Sequence, residues 1–145
     1  MKKLTLIILT IIIFISLGAL YALNNSPSNS NTTNTKQLNL SLHASPSDFK
    51  KAIASGKYKL IDVRTIEEYN AGHIQGASQT DFYQTKDFNA YLDSLDKNTN
   101  YLIYCHTGNR SGQVIQIMQE EGFKSVSDLS GGINAWTANG FSVVK

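Results

Sequence analysis

Short apolar runs alternate with polar, helix-capping residues over most of the chain after residue 38. Apolar and polar positions alternate over 38–42, which is typical of a half-buried strand. Residues 101–105 (YLIYC) run without polar alternation, which favours a strand covered on both faces. Apolar residues at 60, 61 and 63 and at 126 and 129 predict two further strands.

Helix signals stand between these strands. Ser45 precedes Pro46, with Asp48 in the first turn, and this helix should end near Gly56. Thr65 with Glu68 three residues later forms a capping box, which predicts a short second helix. Further helices are predicted over 87–95, 111–121 and around 135–138, the last two closed by Gly122 and Gly140. This alternation predicts an α/β fold with a mainly parallel central sheet flanked by helices, whose active site lies beyond the carboxyl ends of the strands.

The N-terminus has a different pattern. Lys2 and Lys3 precede residues 4–23, which carry no charge. As a helix this stretch would span about 30 Å, the thickness of the hydrocarbon core of a membrane. The pattern is typical of a signal peptide or an N-terminal membrane anchor within residues 1–23. Ala22 could precede a cleavage site, but Leu20 is not small, so both alternatives stay open. Either one predicts an extracytoplasmic domain, in the periplasm or on the outer face of the cytoplasmic membrane.

Residues 24–37 read NNSPSNSNTTNTKQ and contain no apolar side chain. Such a segment cannot bury enough surface to offset its chain entropy, so it is predicted to be a flexible linker. Residues 38–145 then form one domain of ordinary size, in which we find no internal repeat.

Charge and cysteine content narrow the function classes. The formal charge of +2 over 145 residues comes from Lys2 and Lys3, because the remaining 11 basic and 11 acidic residues balance. The basic character is therefore a targeting feature, and we expect no nucleic-acid partner. The single cysteine, Cys105, cannot form an internal disulfide or build a thiolate zinc site alone, and we expect no metal.

Cys105 opens a loop that has the character of an anion-binding turn. Gly108 permits a positive φ angle, and the helix that follows adds the positive end of its dipole. Arg110 adds a full charge. A cysteine beside such a loop should have a lowered pKa and react as a thiolate. The alternative is that Cys105 is a small buried apolar residue, but an exported free thiol is a liability unless it has a use.

Three segments carry a resemblance to a known family. The stretch LIDVRTIEEYNAGHIQGA (60–77) resembles the first signature of rhodanese (sulfurtransferase) domains, and CHTGNRS (105–111) resembles their active-site loop. LSGGINAW (129–136) is similar to their C-terminal signature. The segments occur in the expected order over one module, and the N-terminal segment makes the chain similar to exported single-domain rhodaneses. The resemblance implies a five-stranded rhodanese-like sheet in a single domain.

The resemblance also implies roles for individual residues. Cys105 would carry sulfur as a persulfide, and Arg110 would bind an anionic donor such as thiosulfate. Asp62 and Arg64 would hold the surroundings of the loop, with Arg64 able to touch substrate, and His73 would be a structural hydrogen-bonding residue. The backbone N–H groups of the loop would hold the sulfur anion, with Ser111 in support; the loop residues are His106, Thr107, Gly108, Asn109 and Arg110.

The implied reaction is a two-step transfer to a thiophilic acceptor, cyanide or a thiol, with no metal, organic cofactor or partner protein. One alternative is a sulfur-binding or interaction module without turnover. Another is a cysteine phosphatase or arsenate reductase on the same scaffold, whose loop would be one residue longer than the six residues from Cys105 to Arg110. A redox role through an intermolecular disulfide at Cys105 is a further, weaker alternative, because the chain has no resolving cysteine.

Overall fold

A computed structural model describes residues 40–145, in which five strands alternate with five helices. The segment predicted to direct export, 1–23, and the whole predicted linker, 24–37, lie outside these residues. No helix within 40–145 has both the length and the apolar character needed to cross a membrane. The elements are β1 (His43–Ala44), α1 (Pro46–Ala54), β2 (Tyr58–Asp62), α2 (Ile66–Ala71), β3 (Ser78–Gln79), α3 (Thr85–Asp93), β4 (Asn100–Tyr104), α4 (Asn109–Glu120), β5 (Ser125–Leu129) and α5 (Gly132–Ala138).

All five strands are parallel and lie in the order β1-β5-β4-β2-β3. The sheet flanked by helices that the alternation predicted is therefore confirmed. β4 is the central strand, and its residues from Tyr101 to Tyr104 are fully buried. Leu102 and Tyr104 belong to a core cluster with residues of α1 and α5, whereas Tyr101 and Ile103 belong to a second cluster with residues of α3 and α4. The prediction of a strand covered on both faces is thus confirmed, and Cys105 follows it on the α3–α4 side.

Local caps begin the first two helices as the sequence predicted. The Ser45 hydroxyl accepts a hydrogen bond from the Asp48 amide at 3.2 Å, and Pro46 occupies the first helical position. At α2 the Thr65 hydroxyl accepts from the Glu68 amide, and the Glu68 carboxylate accepts from the Thr65 amide at 3.1 Å. The capping box fixes Glu68 at the start of α2, where its carboxylate contacts Arg110 at the end of the loop that opens with Cys105.

Several predicted boundaries were wrong. The first strand was predicted at 38–42, of which 38 and 39 lie outside the described residues. Within those residues the first strand is His43–Ala44, because register with Asp128 and Leu129 of β5 sets the pairing. The short edge strand β3 carries no alternating apolar pattern, and its position was not predicted from the pattern of the residues. α3 begins and ends two residues before the predicted 87–95, α4 begins at residue 109 and not 111, and α5 begins at residue 132. Gly residues in left-handed conformation start α4 and α5, which apolar spacing cannot reveal.

Candidate active site

Cys105 lies directly after the central strand β4, where a short loop turns into helix α4. This is the carboxyl edge of the parallel sheet, the edge at which ligands bind in open α/β folds. Only 1% of Cys105 is exposed. The thiol therefore lies at the bottom of its loop, and the side chains of the next two residues, His106 and Thr107, are at the surface.

Backbone N–H groups of the loop converge on the Cys105 sulfur. The Gly108 amide donates to Sγ at 3.1 Å. Gly108 has φ of 97°, a left-handed conformation that favours glycine, and it caps α4. The hydrogen bond from the Gly112 amide to the Gly108 carbonyl is the first of that helix, so the amides of residues 109–111 precede the intrahelical bonds. The loop thus has the backbone geometry expected of an anion-binding turn, with the Cys105 sulfur at its focus.

Two opposing effects act on the pKa of the Cys105 thiol. Burial raises it, because a charge is disfavoured away from water. Hydrogen bonds from the Ser111 amide and hydroxyl and from the amides of Thr107 and Gly108 lower it. The hydrogen bonds dominate, so the pKa of Cys105 lies below its ordinary value and the nucleophilic thiolate is favoured.

Helix α5 holds the other side of the loop backbone. The Ile133 amide donates to the Cys105 carbonyl at 2.9 Å, and the Asn134 amide donates to the His106 carbonyl at 3.2 Å. A Cβ atom at Gly132 would lie 2.5 Å from the His106 carbonyl carbon and oxygen, so only glycine permits this approach. Because α5 binds the loop carbonyls from behind, the loop amides are left to face the sulfur.

The side chain of Arg110 is held in an ion pair with Glu68. Its two terminal nitrogens lie 2.7 and 2.8 Å from the two carboxylate oxygens, a bidentate arrangement. The Arg110 bond lowers the pKa of Glu68 to about 2, and Glu68 in turn raises the pKa of Arg110. His106 Nδ1 lies 3.6 Å from the same carboxylate. Arg110 also lies over the ring of Tyr83, 5.4 Å from its centre. An anionic donor would have to share this guanidinium with Glu68.

Asp62 and Arg64 form a buried pair at the end of β2. Arg64 donates to both Asp62 oxygens, at 2.6 to 3.0 Å, and to the carbonyl of Gly72 at 2.8 Å. The Arg64 side chain is 5% exposed, and the Tyr104 ring lies beneath it. These contacts tie the end of β2 to the turn after α2. His73 stacks on the Tyr69 ring and pairs through its backbone with Val144.

The remaining predicted site residues occupy distinct positions. His106, Thr107 and Asn109 have exposed side chains, whereas Ser111 is fully buried beneath the loop. Ser111 Oγ lies 3.6 Å from Cys105 Sγ. Among residues 40–145, no group of three or more His, Cys, Asp and Glu side chains is placed to hold a metal ion.

Two features of the site were missed from the sequence. Glu68 was identified only as a helix cap, and its second role as partner of Arg110 was not predicted. Asp128, 2% exposed, accepts from Ser111 Oγ at 3.0 Å, and its other oxygen lies 2.7 Å from His43 Nδ1. The available signal was a carboxylate inside strand β5, since buried charges require partners.

Comparison with known proteins places the chain among related domains. Residues 45–139 match the family described as Rhodanese-like domain. The chain is 32% identical over 90 residues to a Bacillus subtilis protein named as a sulfur carrier, YrkF, covering 61% of this chain and 47% of YrkF. It is 30% identical over 99 residues to the tRNA uridine(34) hydroxylase of Chlamydia muridarum, covering 65% of this chain and 30% of that enzyme. The chain thus spans less than half the length of either relative.

A solved structure matches the described fold as well. The Rhodanese-like domain of an Anabaena sp. protein aligns with 72% of this chain and 80% of its own, at 27% identity and a TM-score of 0.62. The matched residues 45–139 of this chain include the loop that opens with Cys105, helix α5 and Glu68.

Proposed function

We propose that this chain, which belongs to the rhodanese-like domain family, transfers sulfane sulfur through a persulfide on Cys105. The observation that carries the proposal is the Gly108 amide that donates to Cys105 Sγ at 3.1 Å, at the focus of a six-residue loop. A preorganised N–H group stabilises negative charge on sulfur without rearrangement during the reaction.

The proposed reaction has two half-reactions. The Cys105 thiolate attacks the outer sulfur of a donor such as thiosulfate, so a new S–S bond forms, the donor S–S bond breaks, and sulfite leaves with the electron pair. A thiophilic acceptor, cyanide or a thiolate, then attacks the outer sulfur of the persulfide. Cys105 leaves as a thiolate and the free enzyme is restored. Each step is a displacement at sulfur, so no net oxidant or reductant is needed.

A sulfur-binding module without turnover is the second candidate. The observation that favours it is the burial of Cys105 at the bottom of its loop, which restricts the approach of an acceptor to a sulfur atom bound there. The sulfur carrier name of the Bacillus subtilis relative also points in this direction. In this alternative the persulfide forms, but small acceptors do not discharge it.

The phosphatase or arsenate reductase alternative has less support. The turn from Cys105 to Arg110 has six residues, and Gly108 already donates to the sulfur across it. A tetrahedral oxyanion requires a wider turn than a single sulfur atom does. Turnover of an aryl phosphate without formation of a persulfide would overturn the proposed sulfur chemistry.

Mass spectrometry of the full-length chain after incubation with thiosulfate tests the proposal. We expect a gain of about 32 Da, one sulfur atom, on Cys105, and none in Cys105→Ser. Addition of cyanide should then remove the gain and release thiocyanate. A persistent adduct supports the binding module, and the absence of any adduct contradicts both candidates.

We also propose that the domain acts outside the cytoplasm. The support is the uncharged stretch over 4–23 behind Lys2 and Lys3, which lies outside the described residues. Cell fractionation with protease treatment of intact spheroplasts tests this proposal, and digestion of the domain is the expected result. The mass of the isolated protein distinguishes a cleaved signal from a retained anchor. Protection of the domain in spheroplasts contradicts export.

A further inference from the structure

A line of hydrogen bonds connects the Cys105 sulfur to the surface through three side chains. Ser111 Oγ lies 3.6 Å from Cys105 Sγ and 3.0 Å from Asp128 Oδ2. The other oxygen of Asp128, Oδ1, lies 2.7 Å from Nδ1 of His43. His43 belongs to β1, Asp128 to β5 and Ser111 to α4, so the line crosses from the sheet edge to the reactive loop.

Burial makes each member of this line dependent on the next. Ser111 is 0% and Asp128 2% exposed, whereas 59% of the His43 side chain is exposed. A buried carboxylate needs donors, and here they are the His43 N–H and the Ser111 hydroxyl. The Ser111 hydroxyl also lies 3.2 Å from the Gly108 carbonyl oxygen. It has a single proton, so at any one time it donates to only one of three acceptors: this carbonyl, the Asp128 carboxylate or the sulfur.

We propose that His43 and Asp128 are positioning residues that decide whether the Ser111 proton is donated to the Asp128 carboxylate or to the Cys105 sulfur. His43 binds one carboxylate oxygen and weakens the attraction of the other for Ser111. The hydroxyl is then free to turn toward the sulfur. Asp128 has the opposite effect, because it competes with the sulfur for the same proton.

The two states of the proposed catalytic cycle need different arrangements. In the free enzyme the negative charge is on Sγ, so Ser111 donates to the sulfur while His43 holds Asp128. In the persulfide the charge moves to the outer sulfur, Sγ becomes neutral, and Ser111 turns back to Asp128. Only hydrogen bonds exchange in this step, and no covalent bond or proton is transferred. The inference uses the proposed function in taking Cys105 as the nucleophile.

The other ionisable groups on the elements packed around His43, Asp128 and Ser111 are bound to other residues or lie away from these three side chains. Arg110 of α4 faces the sulfur but is bound by Glu68 of α2, and exposed His106 lies near the same Glu68. Helix α1 after β1 carries the exposed Asp48–Lys51 pair. On β4, the Tyr104 hydroxyl accepts from the backbone amide of residue 74. Helix α5, over 132–138, has no ionisable side chain.

The test is the pKa of the Cys105 thiol in the full-length chain, measured from the pH dependence of its alkylation by iodoacetamide. Cys105 is the only cysteine, so the reaction reports one site and needs no sulfur donor. We expect His43→Ala to raise this pKa by about half a unit to one unit, the effect of one hydrogen bond. Asp128→Asn should lower it, and His43→Gln, which keeps a donor, should return it toward the parent value.

The controls distinguish an effect of His43 that reaches Cys105 through Ser111 from a simple effect of charge on the pKa of Cys105. In a Ser111→Ala background, His43→Ala should no longer change the pKa of Cys105. Lys51→Gln removes a charge from the helix after β1 and should leave the pKa unchanged. An unchanged pKa in His43→Ala, or an equal shift with Ser111 removed, would overturn the inference. The exposed His43 variants decide the question even if Asp128→Asn fails to fold. Because alkylation is independent of sulfur transfer, failure here is distinct from failure of the proposed function.

Discussion

The Ile133 amide donates to the carbonyl of Cys105 at 2.9 Å, so the first turn of α5 holds the backbone of the proposed nucleophile. The same turn binds the His106 carbonyl through the Asn134 amide. The C-terminal signature, 129–136, therefore supports the backbone of the loop that opens with Cys105. Its glycines allow the close approach that these two hydrogen bonds require.

Gly132→Ala should separate α5 from the loop. Gly132 has φ of 62°, and a Cβ atom there would lie 2.6 Å from the Cys105 carbonyl oxygen. Gly56→Ala is the matched control, because Gly56 has φ of 66° and no atom within 4 Å of the added carbon. Both variants should lose about 1–2 kcal/mol from left-handed backbone strain. Only Gly132→Ala should lose about 1–3 kcal/mol more and raise the pKa of Cys105. Chemical denaturation and thiol alkylation measure the two effects, and equal behaviour of the variants would contradict this role.

Glu68→Gln should strengthen binding of an anionic donor. The Glu68 carboxylate holds both terminal nitrogens of Arg110, and its removal frees the guanidinium charge. Glutamine keeps an acceptor for the Thr65 amide, so the helix cap is retained. We expect the KM for thiosulfate to fall about tenfold, the effect of one charge-assisted contact, with a smaller change in kcat. Glu67→Gln, at the next residue along α2, is the control. An unchanged KM would show that Arg110 does not contact the donor.

Lowering the pH should remove the stability that the Glu68–Arg110 ion pair contributes to the fold. The pKa of Glu68 is about 2 in the folded chain, below its ordinary value of 4.5, chiefly because of the Arg110 bond. A lowered folded-state pKa stabilises the fold above the ordinary value, and this contribution is lost as the pH falls toward the folded value. The difference in Tm between the parent and Glu68→Gln should therefore shrink as the pH falls from about 5 to about 2. A difference that stays constant over this range would contradict the assignment.

Arg64→Met should destabilise the fold without changing the reactivity of Cys105. Removal of Arg64 leaves the fully buried Asp62 carboxylate without its main partner, which costs about 3–5 kcal/mol. The double variant Asp62→Asn/Arg64→Met should lose less than the sum of the two single variants. Lys51→Met, which breaks an exposed pair, is the control and should have little effect. Urea unfolding gives the stabilities. A raised pKa of the Cys105 thiol in Arg64→Met would instead place Arg64 in the reactive site.

The sequence predicted the features that depend on neighbouring residues. The caps at Ser45 and Thr65 join groups three residues apart, and the doubly covered strand β4 follows from a continuous apolar run. The turn at Gly108 also depends on local backbone conformation, so its contact with Cys105 Sγ follows from the loop sequence. In these cases one short window contains all the groups that interact.

Contacts between distant segments could not be predicted in the same way. Arg110 and Glu68 are 42 residues apart, and His43 and Asp128 are 85 apart. These pairs are set by the order of strands in the sheet, which the periodicity of a single sequence does not specify. The edge strands β1 and β3 have two residues each, too short to show a period of two. The resemblance implied that Arg110 binds an anionic donor, but it gave no sign that the fold brings Glu68 to the same guanidinium.

The near-complete burial of Cys105 has a consequence for the size of the donors and acceptors that the proposed sulfur transfer can use. With 1% of the residue exposed, only a slender donor reaches Sγ at the bottom of its loop. Once a persulfide has formed, the outer sulfur stands about 2 Å further out, the length of one S–S bond. In the proposed cycle, bulky thiols that cannot enter the empty site therefore reach the outer sulfur of the loaded one. In the proposed cycle the loop therefore takes sulfur only from small donors but releases it to large acceptors as well as to small ones.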